Sequence, residues 1–435
     1  MKKCLLPVFL LMAMGSFAQL SEAYKELRIF SKKKQLLPAD SSIYLNNFYQ
    51  NGLHYLLPLY KAFFQEQRLL KVDTSLYYDN LTQAVSFAGD YASVLELEKI
   101  RQEKPTESWK ENISKLMDIP GEFTYTDARK YILSKAKAHR VVMINEAHNK
   151  PQHRAFTASL LEDLYQQGFR YLAMEMLYNY KRTAVTRLNA LTGHYTAEPV
   201  AGELVRKALE LGYTLVPYVD TVSNHTVKQR EYAQAENLYN FLKMKDTTAK
   251  MLVHAGYGHI EKGSDNDAWI PMAAYFTLIS GINPFTIDQT HMTENSVTAY
   301  EAAVYDSWIK KHPINTASVA LIDNQPLDLF DTHLYDIHII HPPTTYRNGR
   351  PAWMAMNGWK KETPVNPAYQ SLFMVQAYYE KEYNEKTVNQ SIPADQTYTN
   401  APNGLYYLYL RKGKYKLLFR DKEYKILGLK DLVVD

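Results

Sequence analysis

The chain has 435 residues, of which 50 are Lys or Arg and 46 are Asp or Glu, so its formal net charge is only +4. A charge so close to balance gives no indication that the protein binds nucleic acid or an anionic membrane surface. At roughly 150 residues per domain, the length allows two or three domains.

The first 18 residues have the pattern of a secretory signal peptide. Lys2 and Lys3 precede an apolar stretch at residues 5–14, and small residues follow as far as Ala18. No later segment approaches the roughly 20 apolar residues that a membrane-spanning helix needs. We therefore expect a protein without a membrane span that is exported to a bacterial periplasm or secreted after cleavage near Ala18. Cys4 is the only cysteine, so the mature chain is expected to contain no disulfide.

Residues 19–120 have apolar side chains at helical spacing, and Gly89-Asp90 divides one stretch into a helical hairpin. The segment contains no cluster of acid, base and nucleophile. We interpret it as a helical N-terminal region with a packing or partner role. His54 lies on an apolar face there, which is typical of a hydrogen-bonded core histidine.

Strand and helix patterns alternate between residues 121 and 345, which predicts an α/β core with a mostly parallel sheet and helices on both faces. One helix is predicted to start near Pro151 with Asn149 as its cap, and another at Glu203. Residues 346–435 are predicted to form a small β-rich accessory module that ends in a β-meander. The predicted strands of the sheet are residues 141–144, 171–174, 213–219 and 250–253.

Each of these four strands is followed by a titratable side chain. Because the carboxyl ends of parallel strands meet at one edge of a sheet, we expect these groups to converge in one crevice. They could bind a divalent metal ion, or a histidine oriented by a carboxylate could deprotonate water without metal. The sequence spacing does not choose between these two chemistries. In strand order, the side chains are Glu146 with His148, then Glu175, then Asp220, and finally His254 with His259.

A further strand is predicted at residues 335–341, where apolar and polar side chains alternate. His338 lies within this strand, and His341 ends it before two prolines. His341 would join the crevice only if the strand belongs to the same sheet.

Several of these segments resemble the erythromycin esterase-like, ChaN-like and Tiki superfamily. The resemblance rests on Glu146-Ala147-His148, on Glu175, and on the segment from His254 to Ile260. The helix with Arg230-Glu231 is similar to the esterase branch, and the segment around Pro271 is similar to the ChaN branch. The resemblance implies a pocket at the carboxyl ends of the strands. Esterase members use the first histidine as a general base, Tiki-type members act as metalloproteases, and ChaN-type members bind haem.

The first functional hypothesis is an exported hydrolase that cleaves an ester or amide bond in a small-molecule or peptide substrate. His148 or His254 would activate water, while Glu146 and Glu175 would orient the base or stabilise charge. Arg154 or Arg230 would support the developing oxyanion. The candidate residues for binding the substrate are Arg154, Asp220, Arg230 and Tyr257.

The alternative hypothesis is a ChaN-type protein that binds haem or a divalent metal ion without turnover. A metal ion at this edge of the sheet would be held by Glu146, His148 and His259. Tyr257 and His259 are the candidate contacts for haem. Both hypotheses remain open from the sequence.

Overall fold

The computed structural model describes residues 20–34, 52–118, 122–179, 185–245, 247–264, 269–330 and 333–435. The signal peptide predicted at residues 1–18 lies outside the described residues. Among the helices that are described, none has both the length and the apolar character needed to cross a membrane.

The N-terminal region is helical, as predicted. Helices α3 and α4 form a hairpin at Gly89, whose φ of +86° lies in the left-handed region that favours glycine. Asp90 caps α4 by accepting a hydrogen bond from the Ser93 amide at 3.1 Å. The described helices of this region are α1 (Glu22–Lys34), α2 (Leu57–Val72), α3 (Thr74–Phe87), α4 (Tyr91–Arg101) and α5 (Glu107–Leu116).

The central sheet contains six parallel strands in the order β4-β3-β5-β2-β6-β9. A smaller antiparallel sheet of β1, β7 and β8 lies beside it. In chain order the elements are β1 (Thr124–Asp127), α6 (Ala128–Ala136), β2 (Val141–Glu146), α7 (Pro151–Gln166), β3 (Phe169–Met174), α8 (Pro199–Leu211), β4 (Thr214–Val216), α9 (Val227–Lys243), β5 (Lys250–Gly256), α10 (Met272–Ser280), β6 (Phe285–Asp288), α11 (Ala299–Lys311), β7 (Ser318–Ile322), β8 (Gln325–Pro326) and β9 (Ile337–His338).

Helices cover both faces of the central sheet, which confirms the predicted α/β class. Val142 and Ile144 of β2 pack on the side of α6, α7 and α8. Val141 and Met143 pack on the opposite side, against α9 and α10. Burial on both faces explains why β2 is an unbroken apolar run in the sequence and does not alternate with polar residues.

Several boundaries differ from the prediction: β3 begins two residues earlier, at Phe169, and β4 spans only Thr214–Val216. Strands β2 and β5 run two and three residues further, because they pair with each other as far as Glu146 and Gly256. Glu146 and His254 therefore lie inside central strands. Helix α8 begins earlier, at Pro199, after a cap that the sequence interpretation missed. The proposed Asn149 cap of α7 is wrong, because the Asn149 amide donates to Glu98 and Thr82 on the N-terminal helices instead.

The C-terminal region is antiparallel, but β15 and β16 do not pair as the predicted meander requires. Strand β15 pairs with β12, while β16 lies between β13 and β17. Leu408 of β15 and Leu417 of β16 enter the same apolar core, so the two sheets pack against each other. The strands are β10 (Tyr346–Arg347), β11 (Arg350–Pro351), β12 (Lys361–Val365), β13 (Met374–Tyr379), β14 (Asp395–Thr397), β15 (Tyr406–Leu410), β16 (Gly413–Arg420) and β17 (Ile426–Val434).

One apolar cluster joins all three regions. It contains Leu81 of α3, Leu160 of α7 and Met374 of β13. Buried polar contacts also cross the region boundaries, such as the Arg206 guanidinium of α8, which donates to Glu382 at 2.8 Å. The N-terminal helices and the C-terminal sheets therefore support the α/β core directly.

Candidate active site

Glu146, at the carboxyl end of β2, belongs to a buried ion-pair cluster. The Arg154 guanidinium of α7 donates to both Glu146 oxygens, at 2.7 and 2.9 Å, and lies 3.2 Å from Glu198. Each of these three side chains is at most 2% exposed. Burial alone would raise the pKa of Glu146, but the Arg154 guanidinium holds it well below its ordinary value. Glu146 is therefore a carboxylate at neutral pH.

His148 is held between this carboxylate and two tyrosines. Its Nδ1 lies 3.2 Å from Glu146 Oε1, and its ring stacks on Tyr195 with the ring centroids 4.2 Å apart. Its backbone amide donates to the Tyr257 hydroxyl at 3.2 Å. Because Nδ1 faces Glu146, Nε2 is the nitrogen that remains for exchanging a proton with a substrate or water.

Gly256 allows the imidazole of His148 and the carboxylate of Glu175 to meet above β5. A Cβ atom at residue 256 would lie 2.9 Å from His148 Nε2 and 3.0 Å from Glu175 Oε2. Glu175 also accepts a hydrogen bond from the Gly256 amide. Burial is the largest single influence and raises the pKa of Glu175, but His259, His148 and the Gly256 amide together lower it further, so the net shift is downward. A potential base and a second carboxylate thus approach the same point.

A second histidine reaches Glu175 from the turn that follows β5. His259 Nδ1 lies 2.7 Å from Glu231 Oε2, and Nε2 lies 3.7 Å from Glu175 Oε1. The turn includes Tyr257, whose φ of +44° is unusual for a residue other than glycine. Strained backbone of this kind is often found at functional sites. The site therefore consists of two carboxylate-histidine pairs that converge on Glu175.

His254 lies within β5 and is buried, unlike His148 and His259. It is 1% exposed, and its Nε2 lies 3.7 Å from Glu146 Oε2 inside the sheet edge. Burial lowers the pKa of His254, which favours the neutral imidazole. Two histidines were considered as the base. His148 lines a large cleft, whereas His254 contacts Glu146 from inside the protein.

A cleft of about 770 Å³ opens over His148. One wall is built by α3 and by the segment from α4 to α5, so the N-terminal helices help to form the site. A smaller cavity of about 230 Å³ contains Glu175 and Asp220, and Tyr195 lines both cavities. Residues of the main cleft include Asp79, Gln83, Glu98, Arg101, Trp109, Lys150, Tyr257 and Tyr300.

The predicted substrate-binding residues lie in different places. Tyr257 lines the main cleft, and Asp220 lines the smaller cavity, where it bonds His225 at 2.6 Å. The Arg154 guanidinium is fully buried and donates to Glu146, so it lies beneath the site and does not line the cleft. Arg230 is 48% exposed and lies 3.4 Å from Glu231, so it neighbours the partner of His259 and not the cleft.

The arrangement of Glu146 does not suit the metal site considered for Glu146, His148 and His259. Both carboxylate oxygens of Glu146 accept hydrogen bonds from Arg154, so a cationic group already occupies the position that a metal ion would need. His259 directs Nδ1 at Glu231. These contacts fit a histidine base with a fixed carboxylate better than a ligand set.

Sequence reasoning missed three residues that position the site. Glu198 caps α8 through the Val200 and Ala201 amides, and it also contacts Arg154. The Glu198-Pro199 step, with proline in the first helical turn, was an available signal. Tyr195 acts through contacts between distant segments, for which no local pattern exists. Glu231 stands in the Arg230-Glu231 segment that carries part of the resemblance, but its contact with His259 was not predicted.

His341 does not join this site, although β9 belongs to the central sheet. It lies three residues beyond β9, is 2% exposed, and places its Nε2 3.1 Å from Gln289 Oε1. Its ring stacks on His153, with the centroids 5.3 Å apart. His341 is therefore a buried packing residue.

Acidification should destabilise the protein in part through His341. Burial lowers the pKa of His341 from 6.5 to about 4, so between these values the unfolded chain binds a proton that the folded protein excludes. The stabilisation is present above pH 6.5 and is lost as the pH falls, at up to about 1.4 kcal/mol per pH unit for one proton. Urea unfolding over this range should show a shallower pH dependence in His341→Gln. Equal slopes in the two proteins would contradict this assignment.

Comparisons with known proteins identify no family. No family model matches the chain, and no curated protein matches it. Two solved structures of bacterial protein toxins share 13% identity with it, at TM-scores of 0.28 and 0.27; the matches cover 62% and 52% of this chain and 53% and 47% of theirs. RRSP, a MARTX toxin effector domain from Vibrio vulnificus CMCP6, shares 12% identity at a TM-score of 0.29, covering 62% of this chain and 63% of that one. The chain thus spans about half to two thirds of these proteins. Similarity this low does not indicate a shared function.

Proposed function

We propose that the protein is a hydrolase of the erythromycin esterase-like and ChaN-like type that cleaves an ester or amide bond, with His148 as the general base. The observation that carries the proposal is the contact of His148 Nδ1 with Glu146 at 3.2 Å, at the floor of a cleft of about 770 Å³. A carboxylate in this position selects the tautomer with a free Nε2 and stabilises the imidazolium that forms during catalysis.

In the proposed reaction, His148 Nε2 removes a proton from water, and the hydroxide oxygen attacks the substrate carbonyl carbon. Collapse of the tetrahedral intermediate breaks the C–O or C–N bond, and the leaving group takes the proton from His148. Glu175 is ionised and approaches the same point, so its negative charge favours the imidazolium in the transition state. Arg154 acts as a positioning residue, because it fixes Glu146 without reaching the cleft.

The haem-binding alternative has less support. Burial raises the pKa of the Tyr257 hydroxyl well above its ordinary range, which disfavours the anionic phenolate that ligates haem iron. The hydroxyl also accepts a hydrogen bond from the His148 backbone amide. We keep haem binding as an outcome of the experiment below. The proposed location outside the cytoplasm rests on the sequence of residues 1–18.

A screen of nitrophenyl esters and fluorogenic peptides tests the proposal. Loss of the general base in His148→Ala should lower kcat/KM by about 10²- to 10⁴-fold, and Glu175→Gln should also reduce turnover. His139→Ala is the matched control, because His139 precedes the amino end of β2 and packs on Phe285 at the opposite edge of the sheet. Melting curves should show that all variants fold.

Two results would contradict the hydrolase. Turnover that survives in His148→Ala would assign the activity to another site. Absence of turnover, together with a Soret band on haem addition that is lost in Tyr257→Phe, would favour the binding protein instead.

A further inference from the structure

A second cluster of titratable groups lies at the carboxyl ends of β6 and β9. Asp288 ends β6, His338 ends β9, and His291 lies in the loop after β6. The Nδ1 atoms of His291 and His338 each lie 3.0 Å from Asp288 Oδ2. One candidate donor atom from each side chain can be chosen so that all three atoms lie within 4.8 Å of one another. Two imidazoles and a carboxylate thus face one small volume.

The outer nitrogen of each imidazole faces another carboxylate. His338 Nε2 lies 3.3 Å from Asp328 Oδ1, and His291 Nε2 lies 3.6 Å from Glu301 Oε1. Histidines that bind a metal ion typically direct their second nitrogen at a carboxylate, which fixes the tautomer and increases the basicity of the ligand. In both histidines, Nδ1 therefore faces the shared Asp288 and Nε2 faces a second carboxylate, as in many metal-binding histidines.

The orientation of Asp288 leaves one oxygen for a cation. Its Oδ1 accepts hydrogen bonds from the Asn145 side chain at 2.8 Å and from the Thr290 hydroxyl at 2.8 Å. Its Oδ2 faces the two imidazoles and accepts a hydrogen bond from the His291 backbone amide at 3.2 Å, which leaves a second lone pair of this oxygen for a cation. Although His291 Nδ1 lies close to Oδ2, it is buried and not aligned for a hydrogen bond with it. His338 Nδ1 is hydrogen-bonded to Oδ2, and a bound ion would replace the proton between them.

The surroundings favour a positive charge. Three carboxylates, Asp288, Glu301 and Asp328, flank the two imidazoles. The aromatic rings of Phe330 and Tyr335 pack beside His291 and His338. A cation in this partly apolar shell would be attracted strongly, because little water screens it.

We infer that Asp288, His291 and His338 form a binding site for a divalent transition-metal ion such as Zn²⁺. Ligand atoms around tetrahedral Zn²⁺ lie about 3.3 Å apart, close to the spacing of both Nδ1 atoms from Asp288 Oδ2. This site is separate from the pair of His148 and Glu146. Asn145 connects the two, because it precedes Glu146 and bonds Asp288. A bound ion would thus brace β2, the strand that carries Glu146, the carboxylate partner of the proposed base.

Calorimetric titration of the chelator-treated protein with Zn²⁺, and visible absorption with Co²⁺, test the site. Wild type and His148→Ala should each bind one equivalent. His291→Ala and His338→Ala should bind at least about tenfold more weakly, and Asp328→Asn should also weaken binding. His225→Ala is the matched control, because it removes another histidine that contacts an aspartate. Since His291 is partly exposed, its variant should keep the fold, which circular dichroism verifies.

Three outcomes would overturn the assignment. Wild-type protein that binds no Zn²⁺ would reduce the cluster to an ion-pair network. Undiminished affinity in a folded His291→Ala variant would place the ion elsewhere. Loss of binding in His148→Ala or His259→Ala, with His338→Ala unaffected, would move the ion to the proposed active site.

Discussion

Replacing Arg154 with Met should lower the free energy of unfolding by about 3–5 kcal/mol at neutral pH. The substitution leaves Glu146 and Glu198 buried within one cluster without the guanidinium that separates and neutralises them. Water cannot compensate, because both carboxylates are at most 2% exposed. Urea unfolding of the two proteins measures the difference.

The pH dependence gives this prediction a distinct signature. In the wild type, Arg154 holds the pKa of Glu146 well below its ordinary value, so the ion pair stabilises the fold above the pKa of the unfolded chain and is lost in acid. In Arg154→Met, burial without the cation should raise the pKa of both carboxyl groups. The folded variant then holds extra protons, and its stability should fall as the pH rises from mildly acidic to neutral.

Arg129→Met is the matched control for the Arg154 prediction. Arg129 pairs with Asp163 on the outside of α7, and both side chains are 35% exposed. A pair of this kind contributes roughly 0–1 kcal/mol, because water solvates its members separately. Adding Glu146→Gln to Arg154→Met should recover part of the loss. Similar losses in Arg129→Met and Arg154→Met would show that burial of unpaired carboxylates is not the main cause of the lost stability.

The position of the polar side chains at the carboxyl edge of the sheet could be predicted from the sequence, because each follows directly after an apolar strand. The apolar run at residues 141–144 ends in Glu146 and His148, and topology brings such strand ends together. The same rule applied to Phe285-Thr286-Ile287 would have identified Asp288, so that residue was missed although its signal was present. The helical N-terminal region was predicted as well, although its role as a wall of the cleft was not.

Contacts between distant segments could not be predicted in the same way. Arg154 occupies the first turn of a helix, where a sequence pattern suggests access to the crevice, yet its long side chain turns into the core to meet Glu198. The choice between His148 and His254 depends on strand register, since continued pairing of β5 with β2 buries His254. The absence of a β15–β16 hairpin likewise depends on how two sheets share one core.

Gly256→Ala should reduce proposed hydrolase activity by about 10²-fold while the protein remains folded. The backbone of Gly256 has φ −82° and ψ 141°, which alanine adopts without strain. The new methyl group, however, would lie 2.5 Å from His148 Cε1 and 3.0 Å from Glu175 Oε2. Since carbon atoms in contact normally stay at least about 3.5 Å apart, His148 must shift by roughly 1 Å. A displacement of this size separates the base from its carboxylate or from the substrate.

Gly263→Ala separates this steric effect from a general effect of glycine replacement. Among the residues that the structure describes, a Cβ atom at Gly263 would meet only Leu334 Cδ2, at 4.0 Å, so this variant should keep its activity and its melting temperature. In Gly256→Ala, kcat should fall more than KM rises, because the displaced groups act on the transition state and most of the cleft wall is unchanged. Wild-type kcat/KM in Gly256→Ala would mean that the base does not act from its position above β5. The active centre would then lie away from residue 256, at another part of the sheet edge.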